Sequence, residues 1–237
     1  MSSTQRVAVI TGASRGIGAG LVTAYRALGY AVVTNSRNIH ASDDPHVLTV
    51  PGDIGKPGIG ATVIDAALAR FGRVDTVINN AGIFISKPFT DYTDDDYAAV
   101  MGVNVRGFFE LTRAGVKAML SGEGGGHVVN VSTSLVDHAN SRVPAALASL
   151  SKGGLNGVTK ALAIEYADRK IRSNAVALGV IRTPMHDPST HEVKARLHPL
   201  GRLGEVNDVV EAVMYLENAP FVTGEILHVD GGQSAGR

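Results

Sequence analysis

The run RVAVI at residues 6–10 passes directly into TGASRGIG at 11–18, and then into a stretch with the apolar period of a helix. Strand, glycine-rich turn and helix in that order open a parallel α/β unit. A chain leaving a parallel strand has to cross back over one face of the sheet before it can pair again. The alternation then repeats. Short runs rich in Val, Ile and Thr predict strands over 6–11, 31–36, 47–50, 76–79, 127–132, 171–177 and 226–229. Alanine-rich segments predict helices over 17–28, 58–71, 94–120, 145–168, 190–197 and 206–217, and GEGGG at 122–126 reads as a turn.

The spacing inside the glycine turn gives it a chemistry. Gly12 permits the tight turn, Gly16 lets a ligand approach the backbone, and Gly18 allows the helix to pack closely on the strand; Ser14 and Ile17 complete the loop. The free N–H groups of the following helix then face an anion, which is how a dinucleotide pyrophosphate is held. The expected architecture is a single Rossmann-type domain over 1–237. It is a doubly wound parallel sheet of about seven strands with helices on both faces.

The end of the second strand selects the cofactor. An NAD site carries Asp or Glu there for the ribose 2′-hydroxyl, whereas this chain has Asn35-Ser36-Arg37. Arg37, aided by Arg15, suits a 2′-phosphate through charge-assisted bonds, so NADP(H) is the expected cofactor. Only nine residues, NIHASDDPH, separate Arg37 from the third strand. A helical crossover needs about a dozen or more, so that helix is expected to be missing or reduced to a turn, which leaves the adenine side open.

Composition excludes several partners. The 237 residues carry Lys+Arg 22 against Asp+Glu 22, with no basic patch for nucleic acid and no run of membrane-spanning length. Cys 0 removes thiol and disulfide chemistry. The polar MSSTQ start has no signal region, which points to a cytoplasmic protein. Asp94-Asp95-Asp96 reads as helix capping. His186, His191 and His198 have no zinc-site spacing, so no metal is expected.

Further motifs stand in order along the chain: Asp53 in GDI, NNAG at 79–82, Asn104 in VNV, Ser132 in VNVS and Ser151-Lys152 before a long helix. Asn174, Thr183 in IRTP and a closing GEILHVDGG complete the series. Together with the glycine turn, they resemble the short-chain dehydrogenase/reductase family over essentially the whole chain. That resemblance implies that Asp53 and Ile54 contact adenine, that Asn79, Ala81 and Gly82 line the cofactor groove, and that Ile181 and Thr183 hold the nicotinamide carboxamide. It gives Lys152 the nicotinamide ribose, Ser132 the substrate oxygen and Asn104 a water in a proton relay. It also implies a substrate lid over 184–200, a small-molecule carbonyl or alcohol as substrate, and a dimer or homotetramer built on the two long helices.

Two positions depart from the family pattern. A tyrosine proton donor should stand four residues before Lys152, but Ala148 occupies that position. The usual Pro-Gly after the sixth strand is Leu178-Gly179, which loosens the turn. Three readings of Ala148 stay open. Another group donates the proton (Ser132, Ser149, Ser151, a water on Lys152, or His138); or the chain binds NADP(H) as a sensor or scaffold without catalysis; or an engineered Tyr-to-Ala change has disabled a reductase.

Overall fold

The structure, a computed structural model, describes residues 5–122 and 124–236; residues 1–4 of the polar lead and Glu123 of GEGGG lie outside the described residues. Seven parallel strands form one sheet: β1 (Val7–Thr11), β2 (Ala31–Ser36), β3 (Val47–Pro51), β4 (Thr76–Asn79), β5 (Gly126–Thr133), β6 (Ile171–Leu178) and β7 (Ile226–Val229). Their order is β3-β2-β1-β4-β5-β6-β7, so the winding reverses between β1 and β4. Both sheet faces are covered, which is why the strands read as near-continuous apolar runs. Ile10 and Val129 face one way, into a core with Leu21 of α1 (Gly16–Ala27) and Val213 of α7 (Val206–Asn218). Their neighbours Val9 and Val128 face the other way, onto Val63 of α2 (Ile59–Phe71) and Leu111 of α4 (Phe108–Leu120).

The expected helix over 94–120 is not continuous. It runs as α3 (Asp94–Val100), a π-helical turn at Met101–Gly107, and then α4. Thr93 caps α3 in a capping box with Asp96, whose carboxylate also receives Lys87 Nζ. The helix expected over 145–168 is α5 (Ala146–Glu165), followed by a separate 3₁₀ turn, and α6 is short (His191–Ala195). Residues 37–46 between β2 and β3 contain no helix, as the nine-residue spacing predicts. No helix among the described residues is long and apolar enough to cross a membrane.

The amino-terminal edge of the sheet carries a buried polar junction. Glu217, near the end of α7, accepts from Tyr30 Oη (2.7 Å), Tyr25 Oη (3.0 Å), Thr76 Oγ1 (3.1 Å) and His127 Nδ1 (2.8 Å). Nε2 of His127 in turn faces the Asn174 amide at 3.0 Å. Burial pushes the Glu217 carboxyl up, but His127 and the tyrosine hydroxyls outweigh it and hold it down at about 2. Burial pushes the His127 imidazole down, against the opposing pull of the Glu217 carboxylate beside it.

Candidate active site

The glycine turn sits at the carboxyl end of β1. Gly12 and Gly16 adopt φ of +65° and +56°, the left-handed region that favours glycine. A Cβ on Gly18 would stand 2.3 Å from the Gly12 carbonyl oxygen, so α1 can start this close to the turn only without a side chain there. Ser14 Oγ meets Ser36 Oγ at 3.0 Å, joining the turn to the end of β2. Ile17 packs into the core below. Just past β4, Asn80 Nδ2 donates to the Thr11 and Gly12 carbonyls, and the Ala81 N–H donates to Thr11 Oγ1. Arg15 and Arg37 flank the turn, both exposed and neither in an ion pair among the described residues.

Behind the turn, a second group converges. The π-helical turn holds Asn104, buried, with Oδ1 accepting the Ile83 N–H (2.9 Å) and Nδ2 donating to the Ile83 carbonyl and to Ser151 Oγ (both 3.1 Å). The Ser151 hydroxyl itself donates to the Ala148 carbonyl at 3.2 Å. One residue further along α5, Lys152 Nζ donates to the Val131 carbonyl at 2.5 Å. Burial pushes its ammonium down to about 8. A Cβ on Gly82 would lie 3.1 Å from Lys152 Nζ and 3.5 Å from Asn104 Oδ1, so Gly82, Asn104 and Lys152 meet at one point. Ser132, next after Val131, is buried, and its Oγ has no hydrogen-bond partner among the described residues.

Other expected residues do different work in the fold. Asn79 is a strut, donating to Thr112 Oγ1 and Asn130 Oδ1 at 2.9 Å each. Asp53 accepts the Gly55 N–H, and Ile54 is buried against Gly107. The turn after β6 lacks a proline but is not loose. The Gly179 N–H reaches the Val229 carbonyl, the Val180 N–H donates to His198 Nε2 (2.9 Å), and Ile181 bridges to Gly204. Thr183 then closes over the glycine turn, 3.3 Å from where a Cβ on Gly16 would lie.

A family profile described as enoyl-(acyl carrier protein) reductase matches residues 12–234. A 3beta-hydroxysteroid dehydrogenase 1 from Eggerthella lenta is 33% identical across 97% of this chain and 94% of its own length. The chain belongs to the short-chain dehydrogenase/reductase family. Among solved structures similar to this short-chain dehydrogenase/reductase, ElxO with NADP bound superposes at TM-score 0.89, with 26% identity over 98% of this chain and 100% of its own. A tyrosine-to-phenylalanine variant of ElxO holds NADPH, with the same identity and coverage. The 3-ketoacyl-(acyl-carrier-protein) reductase of Brucella melitensis, complexed with NADH, gives TM-score 0.89 and 32% identity over 98% of this chain and 100% of that one.

In this short-chain dehydrogenase/reductase, position 148 is filled. Ala148 is buried against Leu135, Ala145 and Val143. Of the other groups weighed as donors, Ser149 Oγ is spent on the Leu135 carbonyl and His138 stands exposed in the loop after β5. Three features escape a reading of the sequence. They are the clamp of Asn104 on Ile83 and Ser151, the use of His198 to pin Val180, and a cavity of about 390 Å³ between the loop after β5, the segment 184–200 and the carboxyl terminus. The partners in the first two lie 18 to 47 residues apart. The only sequence signal is the Asn104 and His198 residue types themselves.

Proposed function

We propose that this chain is an NADP(H)-dependent oxidoreductase that interconverts a carbonyl and an alcohol without a tyrosine acid. The observation that carries the cofactor choice is the pair of exposed, unpaired arginines at 15 and 37, beside a β2 end with no carboxylate. Relatives were solved with NADP, NADPH and NADH, so the arginines decide between them. Gly12, Ser14, Gly16, Ile17 and Gly18 hold the pyrophosphate. Ser36, Arg37 and Arg15 take the 2′-phosphate, Asp53 and Ile54 the adenine. Asn79, Ala81 and Gly82 line the groove, Ile181 and Thr183 receive the carboxamide, and Lys152 the ribose. When bound, the cofactor supplies a hydride.

The chain's own residues supply the proton and the orientation. Ser132 Oγ, buried with no partner among the described residues, is free to bond the substrate oxygen. Lys152 Nζ, held down at about 8, is charged at neutral pH yet within reach of losing its proton, and it is the donor in this reading. Asn104 keeps the Gly82–Ile83 backbone and Ser151 in place around it.

A second reading, NADP(H) binding without turnover, is favoured by the apolar packing that fills position 148. NADPH oxidation over a ketone panel separates the two. Slow turnover in the native chain, abolished in Lys152→Met and raised by about 10²–10⁴ in Ala148→Tyr, is the expected result. Native silence with strong turnover in Ala148→Tyr would remove Lys152 as donor and leave a disabled reductase. Silence in both, with NADPH still bound, would establish the second reading.

A further inference from the structure

The segment 180–183, which receives the carboxamide in the function proposed above, is supported mostly by backbone. The Gly179 N–H donates to the Val229 carbonyl (3.1 Å), the Gly204 N–H to the Val180 carbonyl (3.0 Å) and the Arg182 N–H to the Gly204 carbonyl (2.7 Å). The Val180 N–H differs from these, because it ends on a side chain, His198 Nε2, at 2.9 Å. Two glycines clear the space for that ring. A Cβ on Gly179 would stand 2.6 Å from Nε2, and one on Gly231 would stand 3.1 Å from the His198 Cβ. The proline of the usual Pro-Gly is gone, but the glycine that admits the imidazole stays.

This geometry sets the protonation state of the ring. An imidazole nitrogen that accepts an N–H carries the lone pair, so the neutral ring has its hydrogen on Nδ1. That hydrogen goes to the Ala195 carbonyl at the end of α6, and the residue is only 4% exposed. His198 therefore ties the segment 184–200 to the strand end that meets the cofactor. A second proton would sit on Nε2, facing the Val180 N–H, and would leave both donors without an acceptor. Burial pushes the imidazole down, the Ala195 carbonyl and the Asp230 carboxylate pull it up, and the Arg202 guanidinium pushes it down again. Asp230 is itself held by the Gly232 and Ser234 N–H groups, and Arg202 is paired with Asp208. Across the cavity stand His138, Arg142 and Arg196, none of which favours a further positive charge nearby.

We infer that His198 is a positioning residue for the nicotinamide end of the cofactor: the neutral ring holds Val180, and through it Ile181 and Thr183, in the place that receives the carboxamide. The inference rests on the function proposed above. A proton on Nε2 releases the nicotinamide end and leaves the 2′-phosphate end, at Arg15 and Arg37, untouched.

Calorimetric titration with NADP+ and with 2′,5′-ADP, which lacks the nicotinamide, separates the two ends. The ratio of their affinities cancels what the shared 2′-phosphate contributes. Lys152 stays charged in a window from about pH 7 to about pH 4.5. Across that window the ratio in the native chain is expected to fall by about tenfold. His198→Gln offers Val180 an acceptor that takes up no proton, so its ratio should match the native one at neutral pH and then stay flat. His198→Leu offers no acceptor, and its ratio should be about tenfold lower at neutral pH. A native ratio that stays flat, a His198→Gln ratio that falls in parallel with it, or a His198→Leu ratio equal to the native one overturns the inference. Should His198→Leu fail to fold, the first two comparisons decide alone. A native chain that binds neither ligand overturns the proposed function and this inference together, whereas binding of both with a flat ratio overturns the inference alone.

Discussion

A buried ammonium gives up the water that would solvate it, and Lys152 has one carbonyl, that of Val131, in exchange. Its proton therefore leaves at about 8 in the folded chain against 10.5 in the open chain. Between those values the unfolded chain binds a proton that the folded chain does not. The contribution of Lys152 to stability is thus fully present above 10.5 and is lost as pH falls through 8. Urea unfolding of the native chain and of Lys152→Met, from neutral to strongly alkaline pH, should show the difference between them move by about 3 kcal/mol in favour of the native chain. A flat difference would mean that the ammonium is solvated. At this scale the sequence was informative about which residues matter. The order of Gly12, Gly16, Gly18, Asn104, Ser132 and Lys152 stands on one line of text. It could not show that Ser132 lacks a partner or that Val131 holds the lysine, because those facts depend on how α5 lies on β5.

Elements were legible where their period is regular. The strands over 31–36, 76–79 and 226–229 match to the residue, since each is a short apolar run bounded by polar or glycine positions. The break of the 94–120 helix into α3, a π turn and α4 was not legible. A π turn adds a residue without a breaker, and Met101–Gly107 contains nothing that an α-helix would refuse outright. The turn nonetheless presents Asn104. Equally hidden was the junction of α7 with β4, β5 and α1 through Glu217, whose partner His127 is 90 residues away. Its carboxyl sits at about 2 against an ordinary 4.5, so its stabilisation is complete above 4.5 and fades as pH falls toward 2. Glu217→Gln should cost about 3–5 kcal/mol near neutrality. Its deficit relative to the native chain should shrink by about 3 kcal/mol when both are unfolded in acid. A deficit that does not change with pH would place the ionised form elsewhere.

For the molecule as a whole, the proposed cofactor links the two halves of the sheet across the reversal between β1 and β4. A ligand that binds only the folded state stabilises it by mass action, about 2.7 kcal/mol at a hundred times its Kd. Thermal melts should therefore rise more in NADPH than in equal NADH. Arg37→Glu should reverse that order, and equal shifts for both cofactors in the native chain would sink the NADP(H) assignment. The sequence showed the parallel sheet and the missing helix between β2 and β3, because the strand–helix alternation suffices for the one and a nine-residue count for the other. The cavity walls come from three distant stretches, and no count along the chain reveals them.

The Glu217 junction gathers Thr76, His127 and Asn174 near the strand starts, whereas Ala81, Ser132 and Val180 stand at or beyond the strand ends. The labour of holding the protein together is thus separated from the labour of choosing a ligand. Descendants of this chain can rewrite the loop after β5 or the segment 184–200 in search of new substrates while the anchorage at the far edge goes on undisturbed, so novelty at one rim carries little risk of collapse at the other.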